Sequence, residues 1–165
     1  PSKGCHLLLR ALQELELKSP LIIVGDYSHI PNYVDKLKDL ANDKVIFLPH
    51  ISEEKKLFGL ISQAKLFVFP STIEASSMML LEVASIGIPI LASDLPENVA
   101  LLADHGVFFK SGEVDDLRNK LKNCLDNIKQ LEYKARDTMK WVKKVYNWNN
   151  ICTKYEDLYE NFFLK

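Results

Sequence analysis

Neither sign of charge is in excess in this chain: 21 Lys and Arg stand against 22 Asp and Glu, giving a net charge of −1 and a pI near 6.5. A nucleic-acid partner, which needs a basic face, finds no support in that balance. Cysteine is scarce: Cys5, Cys124 and Cys152 are odd in number, scattered, and not at metal-ligand spacing. They read as reduced core thiols of a cytosolic protein, not as a disulfide frame or a metal site. No apolar run is long enough to span a bilayer, and no signal peptide is visible. Gly-x-Gly-x-x-Gly for a dinucleotide, Gly-x-x-x-x-Gly-Lys for an NTPase and a nucleophile elbow are all missing, and Asp26 makes an unconvincing phosphate-accepting receiver site. There is no internal repeat, linker or low-complexity stretch.

A length of 165 residues, 47% apolar and 26% charged, suits one well-buried domain over 1–165. Apolar runs at Leu21–Val24, Val45–Leu48, Leu66–Phe69, Ile88–Ala92 and Val107–Phe109 read as strands. Helical patterns alternate with them, which predicts an α/β fold with a doubly wound, Rossmann-like parallel sheet. Leu8, Leu12 and Leu15 mark a first helix ending near Leu17; Ile30-Pro31 opens a second through Leu40; Ser52 is the expected N-cap of a third over Glu53–Gln63. From Asp116 onward the pattern is helical, with Leu117, Leu121 and Leu125, then Leu131, Ala135, Met139 and Val142, then Trp148 to Phe162 on successive apolar faces. Lys and Arg are frequent between Arg118 and Lys144. Such faces are usually just solvated, with a membrane-surface role as the alternative.

The chemistry concentrates between Leu66 and Ile90. Pro70-Ser71 ends a buried strand at the edge where α/β sheets place ligands. Glu74, Ala75, Ser76 and Ser77 then turn into a helix from about Met78 to Ser85, whose free N–H groups and positive dipole end attract phosphate. Glu74 and Glu82, eight positions apart, flank that anion site, which suggests a ligand with both phosphate and hydroxyls. Elsewhere the bland readings compete. Lys3 is either a surface lysine or a phosphate contact; Asp26 is a ligand contact or, more commonly, a turn former. His50 is more often a polar loop residue than a ligand. Asn98 reads as a helix-capping residue, with Glu97 left open.

Pro70-Ser71, the Glu74 and Glu82 pair and Gly87-Ile88-Pro89 resemble the donor-site signature of retaining glycosyltransferases of family 4, in the C-terminal half of a GT-B fold. Lys3-Gly4, Val24-Gly25-Asp26, Val45–Leu48, Tyr146-Asn147-Trp148 and a final Tyr-rich helix fall in the family's order, so the resemblance covers nearly the whole chain. Where the family often carries a Gly-Phe-Gly-like run, this chain has Ala75, Ser76 and Ser77, a departure that bears on the sugar.

The resemblance implies a donor-binding half that transfers sugar from a nucleotide-diphosphate sugar (UDP-, GDP- or ADP-linked) without a metal or other cofactor. Lys3, after which Gly4 makes the turn, and the N–H groups of Ser77, Met78 and Met79 would hold the diphosphate, with Ser76 beside them. Glu82 would take the ribose diol, and Glu74 a sugar hydroxyl and the oxocarbenium-like centre. Gly25, Asp26, His50 and Ile51 would line the nucleotide side, the loop backbone at His50 holding the base. It also implies an acceptor glycan, polysaccharide or glycolipid bound by an N-terminal domain not present here, a cytoplasmic protein that can sit at the inner membrane face, and a central strand before Lys3 that this chain starts too late to contain. The last helix should then expose Tyr159, Phe162 and Phe163 or bury them in a chain-to-chain contact. The rival reading is a non-catalytic nucleotide-sugar-binding or scaffold domain, since fold does not fix chemistry.

Overall fold

Short β-branched and aromatic runs, each closed by Gly, Pro or Ser, form five strands in the computed structural model, which describes residues 1–163. They are β1 (Leu21–Gly25), β2 (Val45–Pro49), β3 (Phe67–Phe69), β4 (Ile90–Ser93) and β5 (Val107–Phe109). The helices are α1 (Cys5–Leu12), α2 (Pro31–Leu40), α3 (Glu54–Ile61), α4 (Met78–Ser85), α5 (Pro96–Leu102), α6 (Val114–Asp126), α7 (Ile128–Val145) and α8 (Trp148–Phe163). All pairing is parallel, as crossover helices require. The strands divide, however, into a two-stranded sheet, β1-β2, and a three-stranded sheet, β3-β4-β5. β1 and β3 do not pair with each other, and each keeps one edge without a strand partner among the described residues. Leu21 of β1, with Leu66 and Val68 beside and within β3, nevertheless packs into the same apolar cluster, so the two sheets lie alongside one another.

The three-stranded sheet is covered on both faces. On one, Leu7, Leu8, Ala11 and Leu12 of α1 and Leu117, Leu121 and Cys124 of α6 close over Leu91 and Phe109. On the other, Leu80, Val83 and Ala84 of α4, Leu102 of α5 and Val142 of α7 close over Phe69, Ile90 and Ala92. Alternate side chains of one strand thus feed opposite cores, the doubly wound arrangement expected from the alternating pattern. Burying side chains of this size contributes about 1.5–3 kcal/mol each.

Several local expectations shift. α1 stops at Leu12, because Gln13 N–H and Leu15 N–H turn back onto Arg10 and Leu12. Glu53, not Ser52, occupies the N-cap of α3: its carbonyl accepts from Lys56 and Leu57, and its carboxylate pairs with Lys56 Nζ at 2.6 Å. The thiols are not uniformly core groups. Cys124 is buried, which pushes its pKa up to about 11, whereas Cys5 is half-buried and Cys152 exposed. No residue of α8 is buried, and Trp148, Tyr155, Tyr159, Phe162 and Phe163 stand in solvent. Leu164 and Lys165 lie outside the described residues, and among those described no helix is long and apolar enough to cross a membrane.

Ala103, where α5 gives way to a 3-10 turn, has φ 45° and ψ −133°, a conformation that suits glycine and not an L side chain. Ala103→Gly removes about 1–3 kcal/mol of strain against about 0.5–1 kcal/mol of added unfolded-chain entropy. We expect thermal unfolding of the variant to rise by about 2–4 °C. An unchanged or lower midpoint in calorimetry would show that Ala103 is not strained.

Candidate functional site

Lys3 and Gly4 form a turn that could not carry any other residue at Gly4. A Cβ there would lie 1.8 Å from the Pro70 carbonyl oxygen, and the backbone is left-handed with φ +65°. The turn is fastened again one residue earlier, where Thr72 N–H donates to the Ser2 carbonyl at 2.8 Å and the Thr72 hydroxyl donates to the same oxygen at 3.3 Å. This seating brings Lys3 Nζ to 2.5 Å from Glu74 Oε1 and to 5.6 Å from the centroid of the Phe69 ring. The Glu74 side chain is 8% exposed and that of Lys3 65%, so a nearly dry carboxylate leans on an ammonium that is mostly in water.

Beside this pair begins α4. Ser77 stands at its N-cap without a side-chain cap bond, and among the described residues the N–H groups of Ser77, Met78 and Met79 meet no protein acceptor. Three orphan donors and the positive end of the helix dipole are therefore free. Leu80, Val83 and Ala84 turn inward; Met78 and Glu82, one turn apart, share the outward face. Glu82 is half-buried, and its carboxylate has no ion-pair partner among the described residues. Ser76 is exposed.

On the other sheet, Gly25 at the end of β1 is opposite Pro49 at the end of β2, so Asp26 and His50 leave at the same edge. Asp26 Oδ1 accepts from Ser28 Oγ at 2.6 Å and from Ser28 N–H at 2.9 Å, and His29 Nε2 lies 3.1 Å from Oδ2. The Ser28 hydroxyl first, then its N–H, hold this carboxyl below the usual carboxylate range. The geometry is that of a turn former. His50 is exposed and Ile51 half-buried.

The first turn of α1 joins the two edges. His6 N–H donates to Tyr33 Oη at 3.3 Å, and Nδ1 lies 2.9 Å from the same hydroxyl, which donates its proton there. Burial, then Lys36 and Arg10, lower the His6 pKa, in keeping with a neutral ring accepting at Nδ1. Burial likewise pushes the Cys5 thiol up.

Three residues escaped the sequence reading. Asn98 caps nothing: Leu95 holds the N-cap of α5, while Asn98 is fully buried and its Nδ2 donates to Ser93 O at 3.1 Å and Ser93 Oγ at 3.0 Å. Ser93 Oγ in turn donates to the Ser71 carbonyl at 2.6 Å. Residue type at a helix start favours a cap; only the packing of α5 onto β4 makes Asn98 an inward tie.

The chain is similar to known proteins. The chain is 23% identical over 167 residues to the phosphatidylinositol N-acetylglucosaminyltransferase gpi3 subunit of Schizosaccharomyces pombe, covering 97% of this chain and 36% of that protein. It is 24% identical over 169 residues to the O-antigen biosynthesis glycosyltransferase WclY of Escherichia coli, covering 98% and 44%. It thus spans less than half the length of either relative. Among solved structures, Anabaena HepE in complex with UDP and glucose superposes with a TM-score of 0.86 at 20% identity, over 98% of this chain and 46% of that one, which places the fold among GT-B Rossmann-like domains. The family described as glycosyl transferases group 1 matches residues 1–127, well over half of the sequence, and the chain belongs to that family.

Proposed function

We propose that this chain is the donor-binding half of a retaining glycosyltransferase that uses a nucleotide-diphosphate sugar. The observation that carries the reading is the Lys3 ammonium on Glu74, set beside three uncapped N–H groups of α4 in a chain of this family. A diphosphate leaving group gains charge as the glycosyl bond breaks and needs fixed donors. In this reading the N–H groups of Ser77, Met78 and Met79 accept it at the helix N-terminus, with the Ser76 hydroxyl in reach of solvent beside them. Lys3 passes from Glu74 to the phosphate oxygens, so that an arriving diphosphate frees the carboxylate. Glu74 then holds a sugar hydroxyl and faces the positive charge that develops at the anomeric carbon. Glu82, unpaired on the outward face of α4, takes both hydroxyls of the ribose as a bidentate acceptor.

The nucleotide side is assigned to the loops after β1 and β2, with Gly25 leaving room for the ligand and the backbone at His50 and Ile51 bonding the base. Asp26 fixes the first of these loops through Ser28. No metal or other cofactor is assigned a role, since the charge on the diphosphate is met by these donors. The acceptor, a glycan or glycolipid, is assigned to a further domain of the intact protein. Relatives named as an O-antigen biosynthesis glycosyltransferase and as a phosphatidylinositol N-acetylglucosaminyltransferase subunit favour such acceptors. We assign the protein to the cytoplasm, with the Lys-rich face between Arg118 and Lys144 read as solvated and contact with the inner membrane face as the alternative.

Four ligand and variant measurements test this. In a thermal-shift screen of UDP, GDP, ADP and their sugars, the cognate ligand at a hundred times its Kd should stabilise by about 2.7 kcal/mol. Glu82→Ala should weaken nucleotide binding by about 1–3 kcal/mol in calorimetry, whereas Glu74→Ala should act mainly on turnover of the intact protein. The chain alone should bind nucleotide without transferring sugar, because no second wall excludes water from the glycosyl centre. Stabilisation by none of the ligands, unchanged binding after Glu82→Ala, or brisk sugar transfer by the chain alone overturns the mechanism. A nucleotide sugar that binds the intact protein and is never turned over would favour the non-catalytic reading.

Gly4→Ala addresses the seating of the turn. The added methyl meets the Pro70 carbonyl, so Lys3 must move away from Glu74. We expect a loss of stability above 1 kcal/mol, read from urea unfolding, together with weaker diphosphate binding. Full affinity in this variant would separate Lys3 from the phosphate.

A further inference from the structure

A buried polar chain runs from α5 through β4 into the loop that carries Glu74. Asn98 Nδ2 donates to Ser93 Oγ and Ser93 O, and Ser93 Oγ donates to the Ser71 carbonyl; the three residues are 0%, 0% and 1% exposed. Phe69 is opposite Ala92, which sets Pro70 opposite Ser93. Phe67 N–H donates to the Pro89 carbonyl, so the N–H groups of Phe67 and Phe69 face β4, and the N–H that Pro70 lacks falls on the other edge of β3. Past Phe69 the strand pairing stops, and the Ser93 hydroxyl ties the Ser71 carbonyl across the gap. The next residue, Thr72, is fastened to Ser2, and Lys3 then reaches Glu74. One continuous path thus links Asn98, Ser93, Ser71, Thr72, Ser2, Lys3 and Glu74.

Stability alone does not account for these polar residues. Ser71 Oγ and Asn98 Oδ1 are buried with no hydrogen-bond partner among the described residues. A partly satisfied polar network is less stable than a well-packed apolar one of the same shape. Something other than burial must favour it.

We propose that Ser93 and Asn98 are positioning residues that set where the Thr72–Glu74 loop, and with it Glu74 and Lys3, stands against the donor site. Asn98 orients the Ser93 hydroxyl by donating to it, which leaves the hydroxyl proton for the Ser71 carbonyl. Neither residue touches the donor; both act through the loop. The catalytic consequence rests on the donor-site reading above, but the mechanical one does not, and the two are measured separately.

The test uses Ser93→Ala and Asn98→Leu in the intact protein, with hydrogen exchange followed residue by residue. The Thr72 amide, held on Ser2, should exchange about tenfold faster or more in both variants, while the amides of β4 keep their protection. Affinity for the nucleoside diphosphate should fall by much less than turnover does, since the α4 N–H groups are untouched and only Lys3 shifts with the loop. Turnover at saturating donor should fall about tenfold or more, as expected for a displaced reacting group. Unchanged Thr72 exchange overturns the proposal. So does exchange that rises equally in β4, or nucleotide affinity that falls in step with turnover, because either marks general loosening. If the wild-type protein neither binds nor turns over any nucleotide sugar, the donor-site reading fails, and the Thr72 amide still decides whether Ser93 and Asn98 hold the loop.

Discussion

The contact between the Gly4 backbone and the Pro70 carbonyl is the constraint from which the rest of the site follows. A turn that must pass within van der Waals contact of another main chain has room for hydrogen and nothing larger at its Cα. Because the turn sits there, α1 starts beside the carboxyl end of β3 and packs on one face of the three-stranded sheet with α6. It contributes Leu7, Leu8, Ala11 and Leu12 to a core shared with α6, β4 and β5. The same seating aims Lys3 at Glu74. Burial energy and site geometry are thus joined through one small residue, and packing of α1 holds the lysine without any bond dedicated to it beyond Glu74 itself.

Charge is distributed unevenly around that contact. The positive elements are fixed or semi-fixed: the N-terminal end of α4, and an ammonium in water next to a dry carboxylate. Helix dipoles and exposed ammonium groups are cheap to maintain without a ligand because water solvates them, whereas a lone dry carboxylate is not. Pairing Glu74 with Lys3 resolves this. It also couples the two groups, since an anion that takes the lysine changes the surroundings of the glutamate in the same step. The loop after β1 follows a different logic, with Asp26 spending its hydrogen-bonding capacity on its own turn.

The two faces of the three-stranded sheet are well covered, and β1 and β3 each keep an edge without a strand partner among the described residues, whereas the aromatic residues of α8 stand apart from both cores. A helix with no buried residue draws no stability from these cores. Stability is therefore graded along the molecule: high around Leu80, Leu91, Leu102 and Phe109, low along α8.

Much of this was legible in the sequence because its signals are local. Apolar runs stopped by Gly, Pro or Ser marked all five strands to within a residue or two, and the sequence pattern marked α2 and α4 at both ends. Glu74, Glu82 and the free N-terminus of α4 stood out because strand, polar turn and helix follow one another directly. What stayed hidden depends on contacts between residues far apart in the chain. Asn98 looked like a cap and is a tie, since only the docking of α5 on β4 decides which way it points. Ser71 looked like a strand end and its tie to Ser93 stayed unseen, because a hydroxyl bonding a carbonyl 22 positions away leaves no local pattern. That a strand would be missing between β1 and β3 was implied by the family resemblance alone; periodicity says that a run is extended, but which strand lies beside it is decided by contacts between residues far apart in the chain, and the tertiary structure leaves β1 and β3 unpaired with each other.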